Sequence, residues 1–400
     1  MELHLSIGFP ALMKKLLWPC SFYFLYYAAM ASFMPFIVLY YRQLGFTGVQ
    51  IGLLTGIPPL ITLFAGPFLS GVADSTRRHN LIMGLGILSA AVIIFSISQL
   101  DVFLAIFALV IAFNIFFSPV ASLGDSATMA MLGEERAMYG RVRLGGTIGW
   151  GVFAQIAGIL LTRFGLGILF YMYSTIMVVN FFVSRKLTFG RQEDHETRSG
   201  TIWTLLSKPR WIIFLSSAFL GGLGAFSVAA FLSPYLQELG ANGDQIGFAF
   251  TIATLTELPI FFFGNRLVKR FKPYGLFVIS LVLLGIRSLL FAAADTLLWA
   301  IVVQALGGMI FPAMWSAGVA YADQHAPAGL KSTAQGLFGA MSFGFGSAVG
   351  GFVGGLLIES GGGRGMFLVF GIVIFVGLAL VEGLKRILPQ ETLPQPVSTD

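Results

Sequence analysis

The chain has 400 residues, of which 56% are hydrophobic and only 10% are charged, and its mean hydropathy is +0.86. A soluble domain carries about 25% charged residues, so this composition excludes an ordinary soluble protein and predicts a polytopic membrane protein. The net charge of +6 is spread over many short loops, which excludes the single basic face of a nucleic-acid-binding protein. The single Cys20 excludes an internal disulfide.

Nothing in the sequence indicates an enzyme. Ser, His and Asp occur in no arrangement that suggests a nucleophile, and the glycines Gly361 to Gly363 follow no strand, so they predict no phosphate-binding loop. No cluster of Cys, His and carboxylate side chains has the spacing of metal ligands. We therefore expect no catalysis, no cofactor and no bound metal.

Twelve apolar segments are long enough to span a membrane, which takes about 20 residues per helix. They lie at 16–41, 49–72, 80–99, 102–131, 141–163, 167–185, 211–236, 246–268, 274–294, 297–322, 333–358 and 365–385. We predict an all-α polytopic membrane protein with these segments as its transmembrane helices. The first is far longer than a signal-peptide core, so we expect it to be retained.

Basic residues are distributed unevenly about these spans. Arg42, Arg163 and Arg364 lie at one end of the spans, Arg287 lies within a span, and every other Lys and Arg lies on the side of the N-terminus. Basic loops remain in the cytoplasm. Both termini are therefore predicted to be cytoplasmic, in an inner-membrane protein.

The chain repeats itself once. The segment Leu44–Gly52, L-G-F-T-G-V-Q-I-G, returns 195 residues later as Leu239–Gly247, L-G-A-N-G-D-Q-I-G, with six of nine positions identical. A duplicated six-helix unit is a recognised transporter plan, with the substrate bound at mid-membrane between the halves. We predict an N-terminal bundle at 1–185, a cytoplasmic linker at 186–210, a C-terminal bundle at 211–386 and a disordered cytoplasmic tail at 387–400.

Glycines are concentrated in the fifth and eleventh spans, which are corresponding positions of the two halves. They are Gly145, Gly146, Gly149, Gly151 and Gly158 in the fifth span, and Gly344, Gly346, Gly350, Gly351, Gly354 and Gly355 in the eleventh. Small residues let membrane helices approach and slide. Static packing explains any single one of these glycines equally well, but the matched pair of helices indicates a moving contact.

Two apolar segments carry ionisable residues on either side of a short charged hinge, Gly133 to Arg141. Asp125 precedes the hinge and Arg143 follows it. If the flanking segments are antiparallel membrane helices, the two side chains lie at similar depth and neutralise each other, which avoids a cost of several kcal/mol in lipid. Trp150 follows Arg143 by two helical turns and lies on the same face. We therefore predict that the side chains of Asp125, Arg143 and Trp150 line one cavity.

The loop after the second span reads S-G-V-A-D-S-T-R-R, in which Asp74 is followed by Arg77 and Arg78. It resembles the cytoplasmic loop signature of the major facilitator superfamily, in which an acid and basic residues cap helix ends and latch the cytoplasmic side. The corresponding loop of the second half has Val268 in place of the acid. A helix cap with positive-inside charge explains these residues as well as a cytoplasmic gate does.

The segment from Tyr139, Y-G-R-V-R-L-G-G-T-I-G-W, is more specific. With an acid 18 residues before its second arginine, it resembles the fourth-to-fifth helix region of the lactose permease branch of that superfamily, which includes nucleoside and phenylpropionate proton symporters. In that branch the acid, the arginine and the tryptophan contact the substrate. The resemblance implies substrate-binding roles for Asp125, Arg143 and Trp150.

The same resemblance extends to the second half. It places Glu257 on the acid of the eighth helix, in contact with substrate, and Arg287 on the arginine of the ninth. Intramembrane ionisable groups are usually functional, so we expect Glu257 with Arg287, or the first-half pair including Asp125, to carry proton coupling. The tenth helix departs from the branch, because Gly307 and Ile310 stand where it has a His and a Glu.

Our first hypothesis is therefore a secondary active transporter that takes up a small polar ring-bearing solute, a sugar or a nucleoside, with protons by alternating access. The missing His and Glu favour a second hypothesis, uniport or the export of an aromatic or organic acid without protons. A third is a non-transporting receptor on the same fold. We expect a monomer whose partners are substrate, protons as the coupling ion and membrane lipid.

Overall fold

The computed structural model describes residues 9–190, 202–327 and 329–387, and within these ranges the chain forms helices and loops without a β-strand. The first half contains α1 (Phe9–Phe33), α2 (Ile37–Gln43), α3 (Gly48–Thr76), α4 (His79–Ile97), α5 (Phe103–Phe117), α6 (Val120–Leu132), a 3-10 turn (Gly133–Met138), α7 (Tyr139–Phe164) and α8 (Gly167–Ser184). The second half contains α9 (Ile202–Leu206), α10 (Pro209–Glu238), α11 (Gly243–Phe271), α12 (Pro273–Ala293), α13 (Leu297–Ala305), α14 (Gly307–His325), α15 (Lys331–Gly339), a π-helix (Ala340–Gly346) and α16 (Ser347–Ile387).

These helices form twelve membrane spans in two bundles. Ten stretches of the described residues are long and apolar enough to cross a membrane. The last of them, Lys331–Ile387, holds two spans, because Gly362 leaves the helical conformation with φ 62° and ψ −176°. The helix α11 adds a further span of 29 residues, packed between α7 and α14. The predicted all-α fold with twelve transmembrane helices is confirmed.

The sequence repeat marks the start of the second span in each half. Thr47 and Asn242 are the N-cap residues of α3 and α11, and each forms a capping box with a glutamine three residues later. In the first copy the Thr47 N–H donates to Gln50 Oε1 at 2.9 Å. Gly45 and Gly240 precede the caps with φ of 76° and 85°, a conformation that favours glycine. The repeated positions therefore specify a tight turn and a helix start.

The two helices also end alike. Each is 29 residues long, and each is followed by a basic residue with positive φ, Arg77 at 55° and Lys272 at 58°. Within the described ranges these are the two non-glycine residues with positive φ. Because a Cβ atom disfavours such backbone, both halves place a strained basic residue where the second span leaves the membrane.

Glycines form the contact between the two halves at one end of the molecule. Gly48 and Gly52 of α3 face Gly355 of α16, and Gly158 of α7 faces Gly243 of α11. A Cβ atom on Gly48 would lie 2.3 Å from the Gly355 carbonyl oxygen, so no larger side chain fits unless one helix moves. The Gly-rich fifth and eleventh spans thus lie at the interface between the halves, and their movement remains a prediction.

Hydrogen bonds join the halves at the same end. Arg42 Nη1 donates to Glu238 Oε1 at 3.0 Å, and the Gly48 N–H donates to Glu359 Oε2 at 2.8 Å. One apolar core runs through the first half and this part of the second half, whereas the opposite part of the second half has a separate core. The molecule is therefore closed at the end predicted to be extracellular and open at the end predicted to be cytoplasmic.

The predicted bundle boundaries fall close to the gap in the described residues. Of the linker predicted at 186–210, residues 191–201 lie outside the described ranges, and so do residues 388–400 of the predicted tail. The boundaries of the bundles, the linker and the tail remain predictions.

Candidate functional site

Asp125 and Arg143 meet through a tyrosine. The 3-10 turn between α6 and α7 brings the two helices together, so that Arg143 Nη1 lies 3.9 Å from Asp125 Oδ1. Tyr139, one turn before Arg143 on α7, lies between them. Its hydroxyl donates to Asp125 Oδ1 at 2.9 Å and accepts from Arg143 Nη1 at 3.1 Å. The acid and the base therefore belong to one hydrogen-bonded network.

Two tyrosines of α1 complete this network. The Tyr23 hydroxyl donates to Asp125 Oδ1, and the Tyr27 hydroxyl accepts from Arg143 Nη2 at 2.8 Å. The Arg143 guanidinium also lies 5.6 Å from the centre of the Tyr23 ring, a cation–π distance. Neither tyrosine was predicted as a site residue, although Tyr23 and Tyr27 are four residues apart and so share a helix face. We call Tyr23, Tyr27, Asp125, Tyr139 and Arg143 the polar cluster.

The charged groups of the polar cluster are accessible to a solute. The Arg143 and Asp125 side chains are 43% and 40% exposed, which leaves room for a solute beside them. Asp125 Oδ2 accepts no hydrogen bond from any described residue, and the Tyr27 hydroxyl donates to none. A solute could therefore donate to the carboxylate and accept from the tyrosine and the guanidinium at the same time.

Trp150 lies two helical turns beyond Arg143 on α7, on the wall of a cavity of about 390 Å³ between the halves. None of the polar-cluster residues belongs to the wall of this cavity, so the wall includes the indole but not the acid and the base. The wall is mainly apolar, with side chains from both halves. The wall residues whose side chains can form hydrogen bonds are Tyr41, Thr55, Thr62, Asn114, Trp150 and Ser347.

Glu257 has no partner in this conformation. It lies on α11 with a half-buried side chain that forms no hydrogen bond or ion pair with any described residue. The tenth span packs directly against its backbone, because a Cβ atom on Gly308 would lie 2.7 Å from the Glu257 nitrogen. Glu257 is therefore a carboxyl group whose charge no neighbouring cation fixes.

Arg287 is buried and is not paired with Glu257 as we expected. Its side chain is 7% exposed, its Nη2 donates to Gln304 Oε1, and its guanidinium lies 5.2 Å from the centre of the Phe291 ring. A Cβ atom on Gly307 would lie 2.5 Å from Arg287 Nη2. The expected ion pair is absent because the amide of α13 takes up the guanidinium.

The same packing explains the departure of the tenth span from its expected pattern. The Arg287 guanidinium occupies the space beside Gly307, so a histidine there would require the arginine to move. Ile310 is 3% exposed and packs in a small apolar cluster with Leu284 and Ile374. At both positions where the lactose permease branch has a titratable His or Glu, the space is therefore occupied by packed side chains.

The residues predicted as a cytoplasmic gate interact within their own loop. Asp74 Oδ1 lies 2.8 Å from His79 Nε2, and the Arg77 N–H donates to the Asp74 carbonyl at 3.3 Å. Arg78 precedes α4 and is exposed. These contacts match the helix-cap interpretation, while a latch to the other half remains a prediction for the conformation in which this end closes.

Comparison with known proteins identifies relatives along the whole chain. The MFS_1 like family model matches residues 16–369. Maltose permease of Geobacillus stearothermophilus is 26% identical over 387 residues, which cover 93% of this chain and 95% of the permease. A probable 3-phenylpropionic acid transporter of Escherichia coli (strain K12) is 27% identical over 297 residues, covering 72% and 77%. A crystal structure of the nucleoside transporter NupG has a TM-score of 0.83 at 17% identity, covering 93% and 99%.

Proposed function

Since the chain belongs to the MFS_1 like family and is a multi-pass transporter rather than an enzyme, we propose that it takes up a small polar ring-bearing solute together with protons by alternating access. The first choice of solute is a sugar or a nucleoside. The polar cluster binds its hydroxyl or carboxylate groups, and Trp150 stacks on its ring. The relatives named above for maltose, phenylpropionic acid and nucleosides handle solutes that combine a ring with polar groups.

The observation that carries this proposal is the polar cluster itself. It combines a carboxylate, a guanidinium and three hydroxyl groups, and its two charged side chains are partly exposed. A site that opens to one side at a time is the geometric requirement of alternating access. Closure at the other end by Arg42, Glu238 and the glycine contacts supports this state as an inward-open one.

Proton coupling is assigned to Glu257, with Asp125 as the second candidate. Glu257 lies within a membrane span and has no cation beside it among the described residues, so its charge can change without breaking an ion pair. Asp125 already accepts two hydroxyl groups and lies 3.9 Å from Arg143, which ties its charge to the cluster. Arg287 supports the cycle by exchanging Gln304 for Glu257 when the Glu257 carboxyl group loses its proton.

Uniport or export without protons is the second candidate function. The observation in its favour is that Arg287 contacts a neutral amide and that Gly307 and Ile310 replace titratable groups. In such a carrier Glu257 would bind substrate only. A receptor that does not transport is the third candidate, and transport of any ligand would exclude it.

The test is a ligand screen followed by flux. Purified protein is tested for thermal stabilisation by maltose, uridine and 3-phenylpropionate, and any ligand found is then tested for counterflow and proton movement in proteoliposomes. We expect stabilisation by at least one of them, and proton entry with the ligand. Ligand counterflow without proton movement would contradict coupling, and the absence of stabilisation and counterflow for all three would contradict the solute class.

A further inference from the structure

The cavity that Trp150 lines suits the non-polar part of a solute. Its volume of about 390 Å³ falls within the range of small-molecule sites, and apolar side chains such as Phe33, Phe113, Phe226 and Phe250 form most of its wall. A polyhydroxylated sugar would leave many of its hydroxyl groups without partners there, at a cost for each of them.

Two of the cavity's hydroxyl groups are already used by the protein. The Thr55 hydroxyl donates to the Ile51 carbonyl at 2.8 Å, and the Ser347 hydroxyl donates to the Ser342 carbonyl at 3.1 Å. Each hydroxyl has a single hydrogen, so neither can donate to a solute in this conformation. The capacity for new hydrogen bonds must come from elsewhere in the wall.

Asn114 and Thr62 supply part of that capacity, beside the Tyr41 hydroxyl and the Trp150 indole N–H, which belong to the same wall. Asn114 Nδ2 donates one hydrogen to the Val110 carbonyl at 2.7 Å, which leaves its second hydrogen free. Its Oδ1 accepts from the Thr62 hydroxyl at 3.4 Å, a distance at the long limit of a hydrogen bond. This pair, one residue from α5 and one from α3, can therefore donate to a solute and accept from it.

The three parts of the site follow one another across the membrane. Trp150 is seven residues beyond Arg143 on α7, or about 10 Å at 1.5 Å per residue. Asn114 precedes Asp125 by eleven residues on the antiparallel fourth span, or about 16 Å at the same rise. A solute bound at the polar cluster would therefore extend past the indole towards Asn114.

We propose that the transported solute is amphipathic, with a polar head at the polar cluster and an aromatic ring in the apolar cavity, where Asn114 and Thr62 select for a hydrogen-bonding group at the far end. This inference rests on the proposed function, because it concerns the same transport site. Asn114 and Thr62 are its specificity-determining residues. The head is either a carboxylate or a sugar, since both can use the free groups of the cluster.

The test uses probes that differ only in the aromatic part. Binding to the purified full-length protein is measured for butyrate against 4-phenylbutyrate, and for methyl β-glucoside against phenyl β-glucoside. The first pair has an acid head and the second a sugar head. We expect the phenyl compound to bind at least tenfold more tightly in one of the pairs, because the ring buries its surface in the cavity. Equal affinities within both pairs would overturn the inference.

The second arm tests the far end of the site. A 4-hydroxyl group on the ring should improve affinity about three- to tenfold, and this gain should disappear in Asn114→Leu and shrink in Thr62→Val. The control is Asn180→Leu, which removes a fully buried asparagine of the first half that lies outside the cavity wall and whose amide has no partner. An unchanged gain in Asn114→Leu would overturn the selective role of Asn114.

The outcomes separate this inference from the proposed function. If the head compounds bind and are transported but the ring adds nothing, the proposed function stands and the amphipathic solute is excluded. If none of the four compounds binds, the polar cluster does not take either head and the inference is contradicted, whereas the proposed function is decided by the separate screen with maltose, uridine and 3-phenylpropionate.

Discussion

Arg143 makes two hydrogen bonds in different directions, one from each terminal nitrogen. Nη1 donates to Tyr139 and Nη2 donates to Tyr27. A guanidinium holds these donors in a planar fork, whereas an ammonium is a point charge that cannot reach both with the same geometry. We expect Arg143→Lys to abolish transport although the charge is kept, measured as substrate uptake in proteoliposomes.

The matched control for this substitution is Arg141→Lys. Arg141 is exposed on the same helix, two residues away, and should tolerate the change. If Arg143→Lys took up substrate as fast as the parent, transport would not require the planar guanidinium of Arg143.

Glu257 tests proton coupling at the scale of a single carboxyl group. Because no described residue pairs with it, replacement by the isosteric glutamine removes the titratable group and mimics the protonated acid without leaving an orphan cation beside it. We expect Glu257→Gln to exchange substrate across the membrane but to lose uphill accumulation driven by a pH gradient. Exchange and accumulation are both measured in proteoliposomes loaded with substrate.

Glu382→Gln is the control, since Glu382 accepts from Tyr274 and Lys385 near the end of α16 and away from the cavity. If Glu257→Gln accumulates substrate as the parent does, Asp125 becomes the coupling group. If substitution of neither carboxyl alters proton dependence, the protein is a uniporter.

The residue that follows the helix α11 has a strained backbone conformation. Lys272 has φ 58° and ψ 155°, a region of backbone space that glycine occupies almost exclusively. We expect Lys272→Gly to raise the melting temperature of the purified protein, with a stability gain of about 1 kcal/mol after the entropy cost of glycine. Lys269→Gly, inside the same helix, should lower stability by about 1 kcal/mol. A loss of stability in both variants would contradict the strain at Lys272.

The elements could be predicted from the sequence better than the contacts of the site. The membrane spans follow from the length of the apolar segments, and the repeat follows from two matching segments of sequence. The approach of Asp125 to Arg143 follows from the short hinge between them. All three are local properties of the chain. Tyr139 as a bridge and Gln304 as the partner of Arg287 depend on how helices rotate and pack. No spacing in the sequence reports that rotation, so the contact of Arg287 with Gln304 could not be predicted, and the joint role of Glu257 and Arg287 stays a prediction.

At the scale of the whole molecule, the two halves are held in one state by close glycine contacts. Gly355 packs on α3 so tightly that a Cβ atom would lie 2.5 Å from both the Gly48 oxygen and the Gly52 nitrogen. These are backbone atoms and cannot yield as a flexible side chain would. We therefore expect Gly355→Val to prevent closure of this end and to shift the population towards the state open on the predicted extracellular side.

The shift can be measured by labelling from outside. In a Cys20→Ser background, Thr55→Cys places a thiol at the closed interface, where the Thr55 hydroxyl oxygen lies 3.0 Å from the Gly351 carbonyl oxygen. A membrane-impermeant maleimide added outside sealed cells should label this thiol slowly in the parent and at least tenfold faster with Gly355→Val. Gly383→Val, at a glycine with open space beside it, is the control and should leave the rate unchanged. Equal labelling rates in all three proteins would mean that the glycine contact does not hold the two halves closed at this end.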